Sequence, residues 1–324
     1  MSKPIGIMYA TSGGRYPFMA GVADALENYL INEGYNIVFR MGASGGSLVS
    51  AIQSSGEPFH EWMERAAHPS VRRALKIGGF RYLSNFWSYM TNGGFLKSED
   101  VQGFVENTIT KPLTAPTYAV SWCESSKKPV AFRLTDENLG SRIAASCAMP
   151  VGLTPMTIQN KTLEPRIREA LGVEDSPDAF STFRDGGLCT GFPLTMIEGI
   201  CTIPVIVVSI DIRVPGQRPE PINFVHRVLA NEMRSKIMDN VNEIAARRHL
   251  TVFCIPCPEY INRKYAVKFD LTQEEGTSMY KVGKTMGEAR LWMTGLQLPD
   301  PEPVETPEAI AVAVLTESLE TSNP

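Results

Sequence analysis

Two short runs of apolar residues open the chain, and each is followed by a stretch in which apolar residues recur at helical spacing. The runs at 4–10 (PIGIMYA) and 35–41 (YNIVFRM) are predicted to be buried strands, because short apolar runs bounded by turns are typical of a sheet covered on both faces. Residues 17–34 are predicted to form a helix, and residues 47–55 can begin a second one. This order predicts an α/β fold in which crossover helices join parallel strands.

The same patterns continue along the rest of the chain. Apolar runs predict four more strands, at 117–124, 129–134, 203–212 and 251–257. Helical patterns, including one long amphipathic segment in the second half, occur at 140–150, 223–249 and 274–295. The chain shows no internal repeat. We therefore expect one large domain over residues 1–298.

Three segments interrupt this alternation. Residues 57–116 change to helical patterns rich in basic and aromatic side chains, which predicts a helical cap or lid inserted into the domain. The composition fits a surface that touches anionic lipid headgroups, and it equally fits a cap whose aromatic residues are simply core. Residues 156–182 are predicted to be an irregular insertion. Residues 299–324, acidic and rich in proline, are predicted to form a flexible or loosely docked tail.

The composition excludes some functions. Hydrophobic residues make up 43% of the 324 positions, and the net charge of −4, with both signs mixed, gives no support to nucleic-acid binding. The longest apolar run, at 203–210, is too short to cross a bilayer, and the N-terminus lacks a signal-peptide pattern. We expect a cytoplasmic protein, and we expect any contact with a membrane to be peripheral.

Six cysteines lie mostly inside apolar segments, a distribution typical of reduced thiols. Cys254 and Cys257 form a C-x-x-C pair, but no second pair or nearby histidine completes a zinc site. Core packing is the preferred interpretation of this pair, and a redox or metal role is the alternative. We expect no metal and no other cofactor.

A serine lies on the predicted turn between the second strand and the second helix. In the stretch RMGASGGSL, Ser44 has Gly42 and Gly46 two residues to either side and Gly45 directly after it. A G-x-S-x-G turn exposes its serine oxygen on a strained backbone, and the small flanking residues let strand and helix pass closely. The following helix points its positive end at developing negative charge. An ordinary loop of small residues fits the same pattern.

A serine nucleophile needs a base, and the sequence offers two kinds. His226 and His249 follow the serine, but both lie in or at the end of the predicted amphipathic helix beside arginines, which favours surface histidines. Asp185 precedes Gly186 and Gly187, which let the chain turn tightly. Burial in a dry pocket would raise the pKa of this carboxyl above its usual value of about 3.9 and let it deprotonate the serine directly. A simple β-turn is the alternative for D-G-G.

A third glycine-containing turn follows the first strand. Gly13 and Gly14, in TSGGR, can direct free N–H groups at an anion, and Arg15 adds a positive charge or a structural anchor. A phosphate-binding turn and a purely structural turn fit the same residues. The stretch does not fit the G-x-G-x-x-G pattern of dinucleotide-binding folds, and no G-x-x-x-x-G-K-[ST] pattern occurs in the chain.

Four motifs in this order resemble the patatin-like phospholipase family. They are SGGR at 12–15, GASGG at 42–46, ASCAMP at 145–150 and DGG at 185–187, and the resemblance spans residues 4–215. It implies a three-layer α/β/α fold with a mostly parallel central sheet and a helical cap insertion. It also implies an ester hydrolase of lipid metabolism that acts on phospholipid or lysophospholipid.

The resemblance further implies a Ser–Asp dyad that uses no histidine. Ser44 would be acylated by a lipid ester, and Asp185 would act as its base. The oxyanion would be held by backbone N–H groups of Gly13, Gly14 and Gly45. The residues implied to support these groups are Arg15, Gly42, Gly46, Gly186 and Gly187.

The chain departs from the family's usual pattern at Thr11, Ser12, Tyr16 and Gly191, which indicates a divergent member. Two alternatives to the dyad hydrolase follow from the residues. One is a Ser–His–Asp triad esterase that uses His226 or His249. The other is a non-catalytic protein of the same fold that serves as a binding or scaffold module.

Overall fold

A computed structural model describes residues 2–75, 94–149, 151–187, 203–210, 250–265, 268–296 and 298, along which the elements are numbered. Eight strands of these residues form the main sheet: β1 (Lys3–Tyr9), β2 (Tyr35–Ala43), β4 (Thr117–Cys123), β5 (Lys128–Arg133), β7 (Met156–Gln159), β8 (Phe180–Asp185), β9 (Val205–Ser209) and β10 (Leu250–Cys254). A separate pair is formed by β3 (Gly94–Leu96) and β6 (Val151–Leu153). The described helices are α1 (Tyr16–Asn32), α2 (Gly45–Ser54), α3 (Phe59–Ala66), α4 (Pro69–Ala74), α5 (Ser98–Thr108), α6 (Leu139–Cys147), α7 (Pro165–Leu171), α8 (Glu259–Tyr265) and α9 (Gln273–Thr294).

The central strands are parallel, as the sequence predicts. Strands β10, β9, β1, β2 and β4 lie side by side in that order and point the same way. Antiparallel strands continue the sheet beyond β4. Strand β5 covers one edge of β4, while β2 and β8 share the other edge, each pairing with one half of it. The carboxyl ends of the parallel strands therefore meet at one edge of the sheet, where ligands of α/β folds bind.

Apolar side chains of the central strands fill the core. The side chains of Ile5, Ile7 and Met8 in β1 have no exposed surface, and neither have the four valine and isoleucine residues at 205–208 in β9. Helix α1 packs on this core through Phe18, Leu26 and other buried residues. The continuous apolar runs in the sequence reflect this position, because strands buried on both faces have no polar face.

A buried ion pair ties helix α1 to the two central strands. The guanidinium of Arg40 in β2 donates hydrogen bonds of 2.9 and 2.6 Å to the two carboxylate oxygens of Glu27 in α1. The hydroxyl of Tyr9, at the end of β1, also donates to Glu27. Burial and the neighbouring carboxylate raise the pKa of Tyr9 well above its usual value, so this hydroxyl keeps its proton. The cluster therefore holds β1 and β2 near their carboxyl ends, just before the loop at 12–15 and the turn at 42–46.

The predicted cap is partly a layer of the core. Trp62 in α3 is fully buried, and its ring lies edge-on to Tyr16 and Phe104 at centroid distances of 5.7 and 6.1 Å. Helices α3, α4 and α5 confirm the helical pattern, but strand β3 was not predicted, because its partner β6 is far away in the sequence. The basic and aromatic stretch at 76–93 lies outside the described residues, so its lipid-facing role stays a prediction.

The expectation of an irregular insertion at 156–182 is wrong. This segment contains β7, helix α7 and the start of β8, and both strands belong to the main sheet. The error has a physical cause. Buried and partly exposed residues alternate along β8, so it lacks the continuous apolar run of a central strand. Its partner β4 is distant in the sequence and antiparallel, so no local turn signal marks the pairing.

Several other predictions fall outside the described residues, among them the amphipathic helix at 223–249 and the tail at 299–324. Cys254 and Cys257 are thiols, half-buried and buried respectively, as expected for core cysteines. No helix that the structure describes is both long and apolar enough to span a bilayer.

Candidate active site

The turn after β2 has the strained geometry of a nucleophile turn. Ser44 has φ 56° and ψ −131°, although non-glycine residues seldom adopt positive φ. Such a conformation costs about 1–3 kcal/mol, so the surrounding structure must hold it in place. Ser44 directly precedes helix α2, and 6% of its surface is exposed. The ordinary-loop interpretation does not account for this backbone.

The two flanking glycines are required by close backbone contacts. A Cβ on Gly42 would lie 2.5 Å from the backbone nitrogen of Ser47, and one on Gly46 would lie 2.9 Å from the carbonyl carbon of Tyr9. Real Cβ atoms do not approach backbone atoms this closely. Strand β1, strand β2 and helix α2 therefore meet at a point where no side chain fits.

Helix α6 holds the backbone of the strained serine. The N–H of Ser44 donates to the hydroxyl oxygen of Ser146 at 3.0 Å, and that hydroxyl donates to the carbonyl of Val120 in β4 at 2.6 Å. On the other side, the hydroxyl of Ser47 donates to the carbonyl of Ser44 at 2.6 Å. Ser146 was not predicted as a site residue, although it lies in the ASCAMP motif that contributes to the family resemblance.

Strand pairing brings Asp185 to the same point. Ala43, the last residue of β2, pairs with Val120 of β4, and Asp185, the last residue of β8, pairs with the next residue, Ser121. Because β2 and β8 share one edge of β4 and run in opposite directions, their carboxyl ends meet head to head there. Ser44 follows immediately, so the serine and the aspartate lie at one place in the fold.

The carboxyl group of Asp185 is fully buried. Its Oδ1 accepts a hydrogen bond of 2.9 Å from the N–H of Gly187, and its own N–H donates to the carbonyl of Ala148 at 3.1 Å. A Cβ on Gly186 would meet the backbone of Val120, so that glycine allows the D-G-G segment to approach β4. The β-turn alternative for D-G-G is wrong, because β8 ends at Asp185 and helical backbone begins at Gly186. The bond from Gly187 orients the carboxylate.

The carboxylate of Asp185 and burial both act on the thiol of Cys147. Burial and, after it, the negative charge of Asp185 raise the pKa of Cys147 to about 12. Cys147 is therefore a thiol at neutral pH, and a thiol is a poor nucleophile. Its sulfur lies 3.9 Å from the hydroxyl oxygen of Ser47.

The loop after β1 lies against the start of helix α2. Gly13 has φ 55°, and a Cβ on Gly45 would lie 2.8 Å from the carbonyl oxygen of Gly13 and 3.1 Å from its nitrogen. Gly14 lies against the backbone of Lys268 and not against α2. The Nε of Arg15 donates a hydrogen bond of 3.0 Å to the carbonyl of Ser12, and its Nη1 donates one of 2.6 Å to the side-chain oxygen of Asn262. Arg15 thus anchors the loop.

The structure brings together the four predicted motifs but no described histidine. The loop at 12–15 and the turn at 42–46 contact each other through Gly45. Helix α6 contacts the turn at 42–46 directly, through the bond from Ser44 to Ser146. The D-G-G segment lies against Val120, to which Ser146 also donates. His60 and His68 lie exposed on or next to α3 and α4. His226 and His249 lie outside the described residues.

Comparison with known proteins decides the family. A family model for the patatin-like phospholipases matches residues 12–197, more than half of the chain. The chain belongs to the patatin-like phospholipase family. Membership confirms the predicted family and the three-layer α/β fold, and it indicates activity on lipid esters.

Two solved structures match this patatin-like chain at low sequence identity. VipD from Legionella pneumophila is 11% identical, with a TM-score of 0.36, over 86% of this chain and 67% of VipD. The type III effector protein ExoU is 10% identical, with a TM-score of 0.32, over 91% of this chain and 54% of ExoU. The chain thus spans about two thirds of one and about half of the other. A search of curated proteins finds no match.

Proposed function

We propose that the protein is a serine acyl hydrolase of the phospholipase A or lysophospholipase type that works through a dyad of Ser44 and Asp185. The observation that carries this proposal is the head-to-head meeting of β2 and β8, which places a strained, hydrogen-bonded serine beside a fully buried carboxylate. Family membership supplies the substrate class, a lipid ester.

The proposed reaction has two halves. Ser44 Oγ attacks the ester carbonyl while the Asp185 carboxylate takes the hydroxyl proton, and that proton then leaves on the alcohol product. Asp185 next takes a proton from water, whose oxygen attacks the acyl-enzyme and releases the fatty acid. The proton returns to Ser44 Oγ. Asp185 is fully buried, and burial of a carboxyl group favours proton uptake, which supports its role as the base.

The negative oxygen of each tetrahedral intermediate needs donors. We propose the backbone N–H groups of Gly13, Gly14 and Gly45, with Arg15 holding the loop and α2 directing its positive end at the charge. The contact between Gly13 and Gly45 supports placing these two donors together. Gly42, Gly46 and Gly186 allow the close backbone contacts described above, and Gly187 donates to the carboxylate of Asp185.

Fatty acid release tests the substrate class. We expect the purified wild-type chain to release free fatty acid from phosphatidylcholine vesicles or from lysophosphatidylcholine micelles, measured by mass spectrometry of the lipid extract. The accompanying product should be the deacylated lipid with its phosphate intact. Release of phosphate-containing headgroups, or no fatty acid from any lipid ester, would contradict the proposal.

The same assay tests Ser146 as a positioning residue. Ser146→Ala leaves the N–H of Ser44 buried without its acceptor, which should cost about 1–3 kcal/mol of stability. Because the strained turn loses its anchor, we expect kcat to fall about 10-fold with little change in KM. Ser141→Ala on the same helix is the matched control, since its hydroxyl donates to the carbonyl of Asn138, at the start of that helix. A fall in stability with unchanged kcat would restrict Ser146 to a structural role.

Neither alternative is favoured. The triad esterase requires His226 or His249, and family membership does not call for either. A scaffold protein would not need a strained serine and a buried carboxylate at one point. Both features cost stability, so selection for stability alone would remove them.

A further inference from the structure

One hydroxyl beside the proposed oxyanion donors has no role in the dyad reaction. Ser12 is fully buried, and within the described residues its Oγ makes no hydrogen bond. The neighbouring buried serines differ, because Ser47, Ser50 and Ser146 each donate to a carbonyl. Buried polar groups of folded proteins nearly always have partners, so an exception calls for a partner that arrives with a ligand.

The position of this hydroxyl distinguishes it from hydroxyls elsewhere in the described residues that make no hydrogen bond, such as that of Ser126. A Cβ on Gly45 would meet Ser12 Oγ before any other atom and would lie 3.1 Å from the nitrogen of Gly13. The hydroxyl therefore lies against the first residue of α2, beside two of the proposed N–H donors. Ser44 is the residue directly before Gly45.

The backbone that carries the hydroxyl is held in place. The carbonyl of Ser12 accepts from the N–H of Arg15 at 3.2 Å and from its Nε at 3.0 Å. Asn262 fixes the far end of the same guanidinium. A donor held this way loses little freedom when charge develops in front of it, which is the condition for electrostatic stabilisation of a transition state.

We propose that the hydroxyl of Ser12 donates a hydrogen bond to the oxyanion formed when Ser44 attacks the ester carbonyl. The inference rests on the proposed function and adds a side-chain donor to the backbone donors. No bond to Ser12 is made or broken, and its proton stays on Oγ. Among the described residues the hydroxyl has no partner, and it would gain one in the tetrahedral intermediate, so its interaction would favour the transition state over the ground state.

Kinetics and stability of Ser12→Ala test this role together. We expect kcat to fall about 100-fold, the effect of removing one oxyanion donor, with KM changed less than about threefold. The melting temperature should equal or exceed that of wild type, because the variant no longer buries an unpaired hydroxyl. Ser55→Ala is the matched control: its buried hydroxyl donates to Ile52 at 2.8 Å, so we expect a lower melting temperature and wild-type kcat.

A transition-state analogue gives an independent readout. A long-chain trifluoromethyl ketone forms a tetrahedral adduct with a serine, so its inhibition constant should rise by the same factor by which kcat/KM falls in Ser12→Ala. An active wild type with unchanged kcat in Ser12→Ala overturns this inference alone. A variant with a lowered melting temperature and unchanged affinity for the ketone also overturns it. A wild type inactive on every lipid ester overturns the proposed function and this inference with it.

Discussion

Asp185→Asn is expected to lower ester hydrolysis by about 10³-fold or more while leaving the fold intact, because it removes the proposed general base without changing its shape. The asparagine side-chain oxygen can still accept from Gly187, and the backbone bond to Ala148 does not involve the side chain. What is lost is the negative charge that accepts the proton of Ser44. In wild type, the rate should fall toward low pH as this carboxylate becomes protonated.

The pKa of the Cys147 thiol tests whether Asp185→Asn has removed the negative charge. Burial and the charge of Asp185 raise this pKa to about 12. Asp185→Asn removes the effect of the charge, so the pKa should fall, but burial should still hold it above the usual value of a thiol. The alkylation rate of Cys147 against pH measures this shift in the same sample. Asp178→Asn is the matched control, since Asp178 is exposed and, among the described residues, its carboxylate pairs with exposed Lys161.

A folded Asp185→Asn variant that kept more than about a tenth of wild-type activity would remove Asp185 from the role of base. Two further variants, His226→Ala and His249→Ala, distinguish the dyad from the triad esterase. The dyad predicts wild-type activity for both variants, and the triad esterase predicts that one of them is inactive.

Ser44→Ala is expected to abolish hydrolysis, lowering the rate about 10⁴-fold or more, because no acyl-enzyme can form. Ser44→Gly should be equally inactive but more stable than Ser44→Ala by about 1 kcal/mol, because glycine adopts a φ of 56° without strain. Activity assays and thermal unfolding of the two variants test both statements. Residual activity in either variant would identify a different nucleophile, and equal stability would show that the turn is not strained.

The parts of the fold that were predictable are those with local signals. Strand β1, helix α1, strand β2 and helix α2 lie within two residues of their predicted positions, because continuous apolar runs and helical spacing depend on neighbours in sequence. The turn at Ser44 was also predictable from neighbours in sequence, because the glycines at fixed offsets from the serine reflect close backbone packing.

The parts that were missed depend on distant partners. The strand that delivers Asp185 is ordered by pairing with β4, and no signal in residues 156–182 announces that pairing. The hydrogen bond from Ser44 to Ser146 joins residues 102 positions apart. The burial of the Ser12 hydroxyl depends on how the first loop packs against Gly45. Sequence patterns mark such residues without showing their contacts.

The site of a covalent adduct tests the central claim most directly. A long-chain fluorophosphonate, which phosphonylates activated serines, is allowed to react with the wild-type chain, and peptide mass spectrometry then locates the added mass. The account predicts an adduct on Ser44, formed much more slowly in Asp185→Asn and absent in Ser44→Ala. An adduct on another residue, or an unlabelled Ser44 in a protein that hydrolyses lipid esters, would contradict it.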